Sequence, residues 1–178
     1  AQFWTRYLTT EFLPKWEERG GFTRRQTYLQ AELMRLYYYM HLLTGDDAYF
    51  VVASQYADAI ANATVIEGDA FVWATKVPKT GTVNADDLKC ETVGRAQFTL
   101  VAFQDMAMEG FNRFADRNVM NAYAATLRDL VLDDAPDSMA STVCGDGEHS
   151  FKKLAQSGLV GLGVWDVSGD ILDWAEAA

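Results

Sequence analysis

The sequence predicts an all-α fold of about seven antiparallel helices arranged as repeated hairpins, and three observations carry that expectation. One hairpin is plain to read: residues 33–57, LMRLYYYMHLLTGDDAYFVVASQYA, set an apolar helix, the turn Thr44-Gly45-Asp46-Asp47 and a second apolar helix in succession. Residues 159–178 repeat it with Ser168-Gly169-Asp170 at the turn, and residues 100–130 give a looser copy turning at Ala115-Asp116-Arg117-Asn118. Self-similarity of this kind fixes an architecture before any other detail. Finally, 49% apolar and 13% aromatic residues in 178 positions suffice for one real core.

Each element has its own signal. A first helix falls within residues 3–19, with Pro14 marking a kink or break. Gly20-Gly21 closes it and Thr23 is the expected N-cap of the next helix. In that second helix Leu29, Leu33, Leu36, Met40 and Leu43 alternate spacings of four and three, so they form one stripe. Gly45 suits the left-handed residue after it, and Asp46 the cap of the third helix, whose apolar positions are Ala53, Ala57 and Ile60 with Tyr49, Phe50 and Tyr56. Residues 64–94 change character: Phe71 through Val77 alternate in part and predict a short strand, ended by Pro78 and Gly81. Helical spacing returns at Leu100, Phe103, Ala107, Phe111 and Phe114, and again at Met120, Tyr123, Leu127 and Leu130. After a second long segment, 132–150, the last pair uses Phe151, Leu154, Gly158, Leu162 and Trp165, then Ile171, Leu172 and Trp174. The chain reads as one domain over 1–178, or as a piece of a longer protein.

Connection length predicts where a site belongs. Antiparallel helices alternate direction, so connections two apart emerge at the same end. The short turns share one pole. The long segments 64–94 and 132–150 share the other, with the Gly20-Gly21 turn. Long loops on rigid helices are where functional residues concentrate.

Charge and pattern exclude several classes. Fifteen basic against 25 acidic residues leave −10, a field that repels phosphate backbones, so no nucleic-acid partner is expected. Arg24, Arg25 and Arg35 are the candidates for a local basic patch or a solvated helix face. No apolar run reaches the ~18 residues of a membrane span. No nucleotide-binding glycine motif, GxSxG elbow or Glu-x-x-His is present. Cys90, Cys144 and His149 are one ligand short of a zinc site, and Asp133, Asp134, Asp137 and Asp146 lack an EF-hand pattern, so no cofactor or metal is expected. The Ala1-Gln2 start fits signal-peptidase cleavage, or a domain excised from a longer chain; the lean is to a secreted or periplasmic protein.

The residues that could carry chemistry gather in the long segments. Cys90 and Cys144 fall one in each, either bridged across the rim or left as thiols. Cys144-Gly145-Asp146-Gly147-Glu148-His149 sets two acids and an imidazole in a glycine-rich stretch. They read as general acid–base groups, or as turn and helix-start charges with Ser150 as the cap. Glu91 and Arg95 are i,i+4 neighbours at the start of the fourth helix, placed to pair with each other or to face a ligand. Trp73 is a stacking platform for a sugar face or an anchor for its loop, and Trp165, near the last short turn, is such a platform or a filler of the hairpin core. His41, beside the Leu/Met stripe, reads as a satisfied, partly buried histidine.

The Thr-Gly-Asp-Asp-Ala-Tyr turn, with Ala53 and Ala57 on the following helix, resembles the helix pairs of α/α-toroid carbohydrate-active proteins. So does the order of an aromatic stretch at Phe71-Val72-Trp73, Glu91 leading into a helix, and Gly145-Asp146-Gly147-Glu148 before a final hairpin with Trp165-Asp166. That group includes six-hairpin glycosidases, glucuronyl epimerases and helical domains of polysaccharide lyases. The resemblance implies a partial α/α toroid that binds or processes an oligosaccharide or polysaccharide at the long-loop rim. Trp73 would then be the platform, Arg95 the clamp, and Glu91, Asp146, Glu148 and His149 the acid–base candidates, for hydrolysis, β-elimination or epimerisation. Full toroids use ten to twelve helices, and no histidine stands near Gly94 and Arg95, where many such enzymes have one. The alternative is a non-catalytic helical scaffold that binds a protein or assembles into homo-oligomers through an open edge.

Overall fold

The structure, a computed structural model, describes residues 2–20, 24–132, 138–147, 149–150 and 160–177, and is mostly helical with short antiparallel strand pairs. The first helix is continuous but changes pitch: α1 (Gln2–Tyr7) runs into a π-helical turn, Leu8–Phe12, and then α2 (Leu13–Glu18). Pro14 is the reason. It has no N–H to give and its ring crowds the preceding turn, and the wider turn just before it absorbs both effects without a break. Gly20, at φ 69°, ends the helix. The expected cap Thr23 lies outside the described residues.

Helix α3 (Thr27–Thr44) and α4 (Asp47–Asn62) form the hairpin read from the sequence. Gly45 is left-handed at φ 71°, and Asp46 caps α4 by accepting the Ala48 N–H at 2.9 Å. The buried face of α3 differs from the expected stripe. Leu33 and Met40 are buried, but Leu29 and Leu36 are half-covered and Leu43 is exposed, while Ala31, Met34, Tyr37 and Tyr38 point inward. The helix packs on both α4 and α5 (Val93–Met108), so the face shared by two neighbours wins over the most regular leucine row.

The chain then turns earlier than expected. Glu109 caps α5 and Gly110, at φ 76°, reverses the chain, so Phe111 and Phe114 belong to a short α6 (Asn112–Ala115) and its approach. Asp116 still acts as a cap, accepting the Asn118 N–H at the start of α7 (Arg117–Ala125), which ends in a π-helical turn, Thr126–Val131. Phe103, Phe114 and Tyr123 meet at centroid distances of 4.4 and 4.7 Å, joining α5, α6 and α7 in one aromatic core.

The long segments are more extended than the sequence foretold. Strand β1 (Thr64–Glu67) pairs with β2 (Ala70–Trp73) about a turn at Gly68, φ 60°, so the predicted strand is shorter than 71–77 and has a partner. A second small pair joins β3 (Ser138–Met139) to β4 (His149–Ser150). Near the end, Val160–Val164 is a 3-10 turn, and α8 (Asp170–Ala177) follows Gly169. The expected helical positions Phe151, Leu154 and Gly158 lie outside the described residues.

Candidate functional site

The two long connectors meet. Thr92 bridges to Thr142, the Val143 N–H donates to the Glu91 carbonyl, and the Val93 N–H to Ser141, while within the first connector Ala74 bridges to Cys90. The first turn joins them: Gln26 bridges to Lys76 and the Thr27 N–H donates to Thr75. A Cys90–Cys144 disulfide, with Cα atoms 6.0 Å apart, fastens the two connectors, so the paired alternative holds for the cysteines.

Glu91 lies beneath this crown with no exposed surface. Its Oε2 accepts the Trp73 indole N–H at 2.6 Å and the Thr99 hydroxyl at 2.8 Å, and its Oε1 accepts the Tyr28 backbone N–H at 3.2 Å. Burial pushes the carboxyl above its ordinary value, more than these donors and the Arg95 charge pull it down. Three donors on one buried carboxylate join β2, α3 and α5 at a single point. Trp73 is likewise fully enclosed, edge-on to Tyr123 at 5.6 Å, and the void beside it, lined by Val93, Leu100 and Leu127 among others, holds only about 10 Å³. Both residues thus sit together, in the position of anchors rather than of groups open to a ligand.

What the crown offers to solvent is next door. Arg95 does not ion-pair with Glu91; its guanidinium lies over the Tyr28 ring, 5.7 Å from the centroid. Phe98, one turn further along α5 and 50% exposed, has its ring 6.4 Å from Tyr28. The Tyr28 backbone bonded to Glu91 fixes the base of this surface. Sequence reading missed Tyr28 and Phe98. The available signal was the i,i+3 pair Arg95/Phe98 at a helix start, facing away from the buried row Val93, Ala96, Leu100.

Other candidates fall elsewhere. Asp146 is exposed, and its carbonyl accepts the Ser141 N–H. His149 pairs through its backbone with Met139, and Glu148 lies outside the described residues. No group of three or more metal-ligating side chains occurs among the described residues. His41 is half-buried against Tyr38 and Phe50, with Nδ1 3.2 Å from the Asp46 carbonyl. Trp165 is partly buried against the core. Its neighbour Asp166 is held below the usual carboxylate range: burial opposes ionisation, but the Ile171 N–H, Arg128 at 2.8 Å and Ser168 outweigh it. Arg35 is held by Glu32 and Asp105, so it adds no free charge to a basic patch.

Away from the crown, a groove of about 550 Å³ separates the first helix from α3, walled by Leu8, Phe12, Trp16, Leu33, Leu36 and Tyr39. A more polar hollow of about 490 Å³ holds the Asp58–Arg113 pair, at 3.2 Å, beside Asn112 and Asp116. Among the described residues, no helix is long and apolar enough to cross a membrane. No protein-family model, curated protein or solved structure matches this chain.

Proposed function

We propose that the protein is a carbohydrate-binding module, a partial α/α toroid that takes an oligosaccharide at the crown. Tyr28 and Phe98 provide the aromatic surface for the C–H face of a pyranose, and Arg95 donates to its hydroxyls or carboxylate. The observation that carries this reading is the Arg95–Tyr28–Phe98 surface on the pole where both connectors meet. Amphipathic rings beside a forked donor suit a ligand with an apolar face and a polar edge. Binding is favoured over turnover because both oxygens of Glu91 are engaged by buried donors, leaving Asp146 as the exposed acid among the described candidates. Hydrolysis, elimination and epimerisation each need a group that reaches the substrate. The disulfide supports an oxidising compartment, and so an exported protein.

The test is titration calorimetry against a panel of neutral and uronate-containing oligosaccharides. Arg95→Ala and Phe98→Ala are expected to weaken binding about tenfold each, a loss of ~1.4 kcal/mol. Trp73→Phe should act through stability alone. A flat response across the whole panel sinks the proposal. A second reading, a scaffold for a protein partner, draws on a different observation: Phe3, Trp4, Tyr7 and Phe12 are exposed on the first helix.

A further inference from the structure

The first helix carries an aromatic row that the fold leaves uncovered, and that row runs into the groove. Trp4, Leu8, Phe12 and Trp16 recur every fourth residue. The last three wall the groove, while Trp4 is 63% exposed; on the adjoining row Phe3 is 71% exposed and Tyr7 is also open. Phe3, Trp4 and Tyr7 pack edge-to-face on one another, at 5.3 and 6.2 Å, so they stand as one ridge. A ridge beside a hollow of matching chemistry on the same surface is the arrangement that a two-fold interface uses, because each copy supplies both parts.

We propose that this face is where a second copy of the chain docks, the ridge of each copy entering the groove of the other. Area supports it. Aromatic side chains bury about 150–250 Å² each when covered, so the exposed parts of Phe3, Trp4, Tyr7 and Phe12 come to about 450 Å² per copy. The groove walls bring the face toward the ~800 Å² per partner of a standard interface. Charge is compatible with this face. Residues 1–35 carry six of the 15 basic side chains and only four of the 25 acidic ones, so this end is slightly positive while the rest of the chain holds the whole excess of negative charge. Two copies meeting here keep their strongly acidic remainders apart.

Sedimentation equilibrium over about 1–100 µM tests it. A dimer is expected, and Trp4→Glu or Tyr7→Glu should weaken it at least tenfold, with the far-ultraviolet circular dichroism spectrum unchanged because both side chains are exposed. Ile66→Glu, at an equally exposed apolar site on β1, should leave the dimer intact. A monomer throughout overturns the proposal, as does a dimer indifferent to both first-helix substitutions. A monomer that sediments with phosphatidylcholine vesicles in a Trp4-dependent way also overturns it and assigns the face to lipid. The outcome is independent of sugar binding at the crown.

Discussion

Glu91 shows how one residue can look catalytic in sequence and prove to be a junction in space. A buried carboxylate between three donors is satisfied as an acceptor, yet burial still raises its proton affinity above that in the unfolded chain. The sign follows from linkage. Between the ordinary glutamate value of about 4.3 and Glu91's raised value, the folded state binds more protons than the unfolded. Glu91's contribution is therefore full below that interval and is lost as pH rises through it. Asp166 works in the opposite sense: its contribution is present above the ordinary aspartate value and is lost as pH falls through its depressed one. Urea unfolding across that range should show the Glu91 slope disappear in Glu91→Gln, with the Asp166 slope retained. Glu91→Ala, which leaves the Trp73, Thr99 and Tyr28 donors buried without an acceptor, is expected to cost about 3 kcal/mol at neutral pH. A Glu91→Ala protein as stable as the parent would refute the junction.

At the scale of the element, caps and turns were the most legible features, because they are local. Thr44-Gly45-Asp46 and Ser168-Gly169-Asp170 do share chemistry: in each the glycine is left-handed, and the hydroxyl accepts the N–H of the aspartate two residues on, at 3.2 and 3.3 Å. Asp46 and Asp116 each close the first N–H groups of a helix, whereas Thr92 begins α5 without a side-chain cap. Thermal unfolding should accordingly give a loss of about 1 kcal/mol for Asp46→Ala and for Asp116→Ala, and almost none for Thr92→Ala. What the sequence hid is equally local in cause. Phe111 and Phe114 keep the helical spacing across Gly110, so the pattern conceals the bend there. The strand β1 was overlooked although Thr64-Val65-Ile66 before Gly68-Asp69 is a recognisable hairpin start.

For the whole molecule, the meeting of the long connectors was legible because their cysteines fall one in each and two long loops on one helical body have the reach to pair. The burial of Trp73 was not. Its indole N–H finds Glu91 eighteen residues away, and no periodicity reports a partner at that distance. Nor did composition reveal that the aromatic richness of the first helix is spent on its surface. The disulfide is where whole-chain effects concentrate. Cys90 and Cys144 are 54 residues apart, and the chain-entropy model gives about 4 kcal/mol for closing a loop of that size. Paired Cys90→Ser and Cys144→Ser substitutions should lower unfolding stability by about that amount in calorimetry. A loss well under ~1 kcal/mol would show that the backbone bonds of the crown hold the connectors unaided.

The sulfur bridge also makes the stretch between the two cysteines a closed covalent ring, with the exposed Gly110 bend within it. A peptide bond severed at that bend therefore divides the polypeptide without dividing the molecule. Both halves stay tethered, each keeping its own helices against the common core.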